Sequence, residues 1–171
     1  KAASFASHKW RKQAGAVLEE LLHKLADTEE GQAVAFIHVA GGAWGEWFYD
    51  GFDFEPDTGP CMTHHFRNWL RTKYGSDDAL QAAWQAPDTT LDTAEVPDAV
   101  TRFRSTSRMF RDPQQERRTM DYYMCHQELV ADTPLYFSKI FKDTWPRPII
   151  VGIFHAYFLH IHHQASGGHL E

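Results

Sequence analysis

Cysteine is scarce: Cys61 and Cys125 stand far apart and in no Cys-x-x-Cys spacing, so neither a disulfide framework nor a structural zinc site is expected. Two free thiols follow from that arithmetic. No apolar run approaches the roughly 20 residues of a membrane-crossing helix, and no charged, then apolar, then small-residue leader opens the chain. Residue 1 is Lys rather than Met, so the missing leader leaves the compartment open, with the cytoplasm slightly favoured. Positive charge is short too, 17 Lys and Arg against 23 Asp and Glu, for a net charge of -6. A phosphate backbone calls for a basic stripe, so nucleic acid is not an expected partner, and neither is a membrane. Aromatics, at 14% with six Trp, and 11 His are plentiful by contrast. Such a surplus favours a surface for a polar, ring-shaped ligand.

The chain has 171 residues, 43% of them hydrophobic, which suits one core and a single domain over 1–171. Residues 9–26 place Val17, Leu18, Leu21, Leu22 and Leu25 on one stripe of a 3.6-residue period, with Glu19, Glu20 and Lys24 opposite. Thr63 is positioned to cap a helix holding Phe66, Trp69 and Leu70 that stops near Gly75. Ser76 can cap a second one carrying Leu80, Ala83 and Trp84. Residues 86–111, with Pro87, Pro97 and a Thr/Asp cluster, suggest an extended excursion. Asp112-Pro113 then announces a long helix with the stripe Met120, Tyr123, Met124, Gln127, Val130, Phe137, Ile140 and Phe141, kinked at Pro134.

Two short apolar runs without helical periodicity, 33–40 and 149–154, suit strands buried on both faces, as in a parallel sheet. Strand, helix, strand with the polar continuations on one side is the grammar of a βα-barrel or a doubly wound sheet. In both, ligands sit at the carboxyl ends of the strands. The expected fold class is therefore α/β, a partial (β/α)-barrel-like layer of parallel strands and long amphipathic helices.

The first strand leads into Val-Ala-Gly-Gly-Ala-Trp-Gly-Glu-Trp-Phe-Tyr-Asp-Gly over 39–51, where Glu46 lies between Trp44 and Trp47. A pyranose offers apolar C–H faces for stacking, and its glycosidic oxygen needs a proton before it can leave. Glu46 is the candidate general acid/base, and Trp44, Trp47 and Tyr49 are candidate sugar contacts. The plainer alternative makes Trp44, Trp47 and Phe48 core aromatics and Glu46 a solvated loop residue. Asp50, Asp53 and Glu55 are the local candidates for a second carboxylate, and Asp50 comes first by proximity, although an Asp before Gly also suits a simple turn. The second strand leads into a His-rich segment, in which His155, Tyr157 and His163 are candidate partners for sugar hydroxyls.

Several stretches together resemble the β-galactosidases of glycoside hydrolase family 42. They are Ala-Ser-Phe-Ala-Ser over 3–7 with Trp10, Gly-Glu-Trp-Phe-Tyr over 45–49, and Phe-Arg-Asn-Trp-Leu-Arg-Thr-Lys-Tyr-Gly over 66–75 with Ala-Ala-Trp over 82–84. Val-Gly-Ile-Phe-His-Ala-Tyr over 151–157 and Ser-Gly-Gly-His-Leu over 166–170 complete the set. The resemblance covers almost the whole chain, and the 66–75 run with its Ala-x-Trp is its most specific part. It implies the central third to half of a (β/α)8 barrel, retaining chemistry and two catalytic carboxylates. Glu46 falls where the acid/base after the fourth strand is expected. The family's Asn-Glu pair is here Gly45-Glu46, and the strand that would supply the nucleophile falls outside this span.

A two-strand piece leaves strand edges and apolar faces open, so a homo-oligomer is expected. The expected function is hydrolysis of β-linked galactosides or glucosides without a cofactor or metal. Two alternatives stand beside it. One is a non-catalytic carbohydrate-binding or interaction fragment. The other is a metal-binding protein built on His155, His160, His162, His163 and His169, since imidazole suits zinc and copper and His160 and His162 point the same way on an extended segment.

Overall fold

A computed structural model describes residues 3–41, 47, 57–104 and 110–154. Six helices and two strands follow in the order α1 (His8–Ala26), α2 (Glu29–Ala33), β1 (Phe36–His38), α3 (Pro60–Tyr74), α4 (Asp77–Trp84), α5 (Ala99–Phe103), α6 (Arg117–Thr144) and β2 (Ile150–Gly152). The strands pair in parallel, Phe36 opposite Ile150 and His38 opposite Gly152. The βαβ grammar expected from the sequence is therefore present, as a two-stranded layer; the described residues show no barrel.

Both strands are shorter than expected, and neither is buried on both faces. Phe36 is 56% exposed and its ladder partner Ile150 is 70% exposed, whereas Val39, Val151 and Ile153 pack against the helical core. Alternation with a period of two explains the difference: one face lies on the helices and the other is open. Residue 33 belongs to α2, a short helix that the sequence reading missed. Arg147 holds this corner together, its guanidinium donating to the carbonyls of Gly31 (2.7 Å), Gln32 (2.9 Å) and Val34 (3.0 Å). The starts of β1 and β2 are thereby fixed side by side.

Ser7 caps α1 through a bond from the Trp10 N–H, and Ser76 caps α4 through one from Ala79. Gly75 closes α3 with φ 74°, a left-handed conformation that glycine adopts without strain. Two other boundaries moved. Helix α3 starts at Pro60 with Gly59 as cap, so Thr63 lies inside it and its N–H bonds the Gly59 carbonyl. Asp112 does not cap α6. It sits in a preceding turn, where its N–H donates to the Glu116 carboxylate at 2.8 Å, and Glu116 is the residue at the cap position.

The excursion contains the short helix α5, capped by Asp98, rather than extended chain alone. Helix α6 continues through Pro134 to Thr144. Its buried face includes Tyr122, Cys125, His126, Leu129, Val130, Thr133 and Phe137, while Met124 is 46% exposed, so the expected stripe is only partly the real one. The helix is covered from two directions. Against its C-terminal half lies α1, with Arg11 bonded to Asp132 and to Thr133 Oγ1 and Trp10 edge-on to Phe137. Against its N-terminal half lie α3 and α4, which bring Met62, Phe66, Leu70 and Leu80 to full burial. Both cysteines are free, Cys61 exposed and Cys125 buried. No helix among the described residues is long and apolar enough to cross a membrane.

Candidate functional site

The parallel register brings the carboxyl ends of β1 and β2 together, and the Val39 N–H extends the pairing to the Gly152 carbonyl at 2.8 Å. The chain after Val39 and the chain after Phe154 therefore leave from the same edge of the layer. Of the site residues named from the sequence, Glu46, Asp50, Trp44, Tyr49, His155, Tyr157 and His163 lie outside the described residues, as do Asp53, Glu55, His160, His162 and His169. Trp47 is described.

The Trp47 side chain is 4% exposed. Its indole N–H donates to the Val39 carbonyl at 2.9 Å, its ring stacks on Phe137 at 5.8 Å and 20°, and it meets Phe5 edge-on at 5.7 Å. Gly41 lies directly beneath it, and a Cβ there would come within 2.7 Å of the ring. The indole is thus gripped by the end of β1, the segment before α1, and α6 at once.

An apolar hollow of about 460 Å³ borders this cluster, lined by Trp10, Val17, Leu21, Gly41, Trp47 and Phe141 among others. That volume is in the range of small-ligand sites. Among the described residues no carboxylate lines it, and the His38 imidazole, 4.3 Å from the Phe154 ring, is the titratable group on its wall. The described wall of such a hollow can hold apolar surface.

The far end of the same connection is anchored as well. Asp57 accepts a hydrogen bond from Ser4 Oγ through its carboxylate and one from the Tyr122 hydroxyl, at 3.0 Å, through its backbone carbonyl. Nearby on α3, His65 has its pKa lowered by burial and then by the positive charges of Arg11 and His8. Among the described residues no three His, Cys, Asp or Glu side chains stand together as a metal site.

Sequence reading missed the principal buried polar centre, Asp121 on α6. Its carboxylate is fully buried and accepts from Lys73 Nζ (2.7 Å), Tyr74 Oη (2.6 Å) and Trp84 Nε1 (2.7 Å). Burial and the Asp121 bond push the Tyr74 hydroxyl pKa well above its ordinary value, so it stays a donor. The Lys-Tyr-Gly and Ala-Ala-Trp pieces of the most specific motif are therefore scaffold, holding α3 and α4 on α6.

These features define an α/β layer whose two parallel strands end side by side on one edge. A solved structure is similar in fold: the β-galactosidase from the psychrophilic Marinomonas ef1, 18% identical, with a TM-score of 0.59 over 95% of this chain and 23% of that one. The likeness is one of fold, and this chain spans under a quarter of that enzyme's length. No protein-family model and no curated protein sequence matches.

Proposed function

We propose that this chain is the acid/base-bearing part of a β-glycoside hydrolase of the family 42 galactosidase or glucosidase kind. The observation that carries the reading is the parallel register, which starts the Glu46 loop and the His155 segment from adjacent strand ends. A protein of the same local fold, the Marinomonas β-galactosidase, supports it.

Glu46 protonates the departing glycosidic oxygen. Asp50, or a carboxylate from another copy of the chain, attacks the anomeric carbon or activates water. A carboxyl separation of about 5 to 5.5 Å selects the first and about 6.5 to 9.5 Å the second. His155, Tyr157 and His163 bond sugar hydroxyls, and Trp44 and Tyr49 supply apolar faces. A non-catalytic sugar-binding role is the second reading, favoured by the apolar, aromatic lining of the described hollow beside the strand ends.

Turnover of a panel of aryl and alkyl β-glycosides tests the proposal. Glu46→Gln should reduce turnover about 10²-fold or more on poor leaving groups and far less on leaving groups that need no proton. Equal losses on both would assign Glu46 a structural role. Sugar binding without any turnover would favour the non-catalytic module.

A further inference from the structure

We infer that the free edge of β1 pairs antiparallel with the same edge of a second copy of this chain about a two-fold axis, joining the two layers into one four-stranded sheet. This contact is independent of the hydrolase reading.

Strand alternation decides which backbone groups are open. The Val39 N–H bonds the Gly152 carbonyl, so the N–H and C=O of Ile37, two residues back, also face β2, and those of Phe36 and His38 point to the opposite edge. Among the described residues no strand pairs there, and a row of open donors and acceptors is a template for another strand. The edge is complementary to itself. With the second copy turned end over end, Phe36 lies opposite the partner's His38 and the two residues exchange N–H···O=C bonds. The two-fold repeats that exchange, so every outward N–H and C=O of Phe36 and His38 is satisfied in both copies. Ile37 then meets the partner's Ile37 on the axis as a non-hydrogen-bonded pair, with Cα atoms about 4.5 Å apart.

The apolar hollow selects the same edge. Its described wall comes chiefly from α1, α6 and residues 38–41 and includes no residue of β2, so it flanks β1 on the side away from β2. Val17 and Leu21 on that wall are 68% and 57% exposed, and Phe36 at the strand start is 56% exposed. An axis perpendicular to the sheet keeps both α1 helices on one side, and brings Val17 and Leu21 toward their symmetry mates. Charge points to a copy as the occupant. Among the described residues no Asp, Glu, Lys or Arg lines the hollow, and Glu20 and Lys24 on α1 neutralise each other. A chain of net charge -6 repels its copies elsewhere, so an uncharged wall is where a copy can dock, and a two-fold dimer is the commonest closed assembly.

Sedimentation of the whole chain at micromolar concentration and a disulfide probe test the contact. Phe36→Pro removes an outward N–H at the first residue of the strand and no bond to β2, so it should weaken dimerisation about tenfold or more. Val17→Glu sets like charges across the axis and should do the same, while Val100→Glu, similarly exposed on α5, leaves the dimer intact. Ile37→Cys in a Cys61→Ser background should oxidise to a covalent dimer, because the Cα separation on the axis suits a disulfide, and Ile150→Cys should not. The crosslink decides the matter even where Phe36→Pro fails to fold. A parent that stays monomeric would overturn the contact, as would a dimer that forms no crosslink through position 37. A dimer that survives Phe36→Pro and Val17→Glu but is lost in Ile150→Thr would replace it with stacking through the open face of the layer.

Discussion

His126 on α6 is fully buried beside the Tyr122 ring, and its pKa is depressed to about 3, first by burial and then by the charges of Arg102 and His65. The folded protein keeps this imidazole neutral, while in the unfolded chain it takes up a proton at the ordinary value of 6.5. Below pH 6.5 the unfolded state binds the additional proton, so this contribution to stability is complete above 6.5 and is lost as pH falls toward 3. The slope from one such group approaches about 1.4 kcal/mol per pH unit. The lowered pKa of His65 acts in the same direction. Urea titrations of His126→Gln at several values between pH 6.5 and 5 should show a flatter dependence than the parent by about one such group. Identical slopes would mean that His126 is protonated in the fold.

At the scale of elements, the Asp121 carboxylate joins the ends of α3 and α4 to the first turns of α6. Removing one partner of a buried ion pair is destabilising by about 3 to 5 kcal/mol in general, and Lys73 is partly exposed, so Asp121→Ala should lose about 3 kcal/mol by thermal or urea unfolding. A loss below about 0.5 kcal/mol would show that the three donors find water instead. The latch also marks where sequence reading stops. Ser76 and Gly75 were legible as a cap and a stop because capping is chemistry within one turn. Thr63 and Asp112 misled because Pro60 and Glu116 set the true starts, and a good capping residue near a helix start need not be its cap. The buried face of α6 was only partly legible, since hydrophobic periodicity cannot find Thr119, Asp121, His126 or Thr133, polar side chains buried between packed helices. Of the candidate site, the parallel strand ends were legible, and the site residues after them, Trp47 apart, lie outside the described residues. The commitment of Trp47 to Val39 and Phe137 depends on packing across the chain and was not.

At the scale of the whole molecule, the open face is the notable property. Phe36, Ile150 and Phe154 on the layer and Val17 and Leu21 on α1 are each more than half exposed. Burying a side chain of this kind contributes about 1.5 to 3 kcal/mol, so association with further copies is the expected outcome. Sedimentation at micromolar concentration should find species heavier than the monomer. Replacing Phe36 and Ile150 together by Thr should shift them toward the monomer. A monodisperse parent that unfolds cooperatively would rule association out.

The parallel ladder carries one more consequence, in the entropy of the chain. Phe36 and Ile150 are partners across more than a hundred residues, and joining ends that far apart costs about 4 kcal/mol in loop closure alone. Three-residue strands exchange only a few hydrogen bonds, each worth about 0.5 to 1.5 kcal/mol net, so the ladder cannot sustain that closure by itself. The burden falls on the helices. Once Arg11 and Trp10 have docked α1 on α6, the two strands are each a short step from their partner, and little closure remains to be made. The sheet is therefore conditional on the α1–α6 contact, and its strands are a product of helix packing rather than its template.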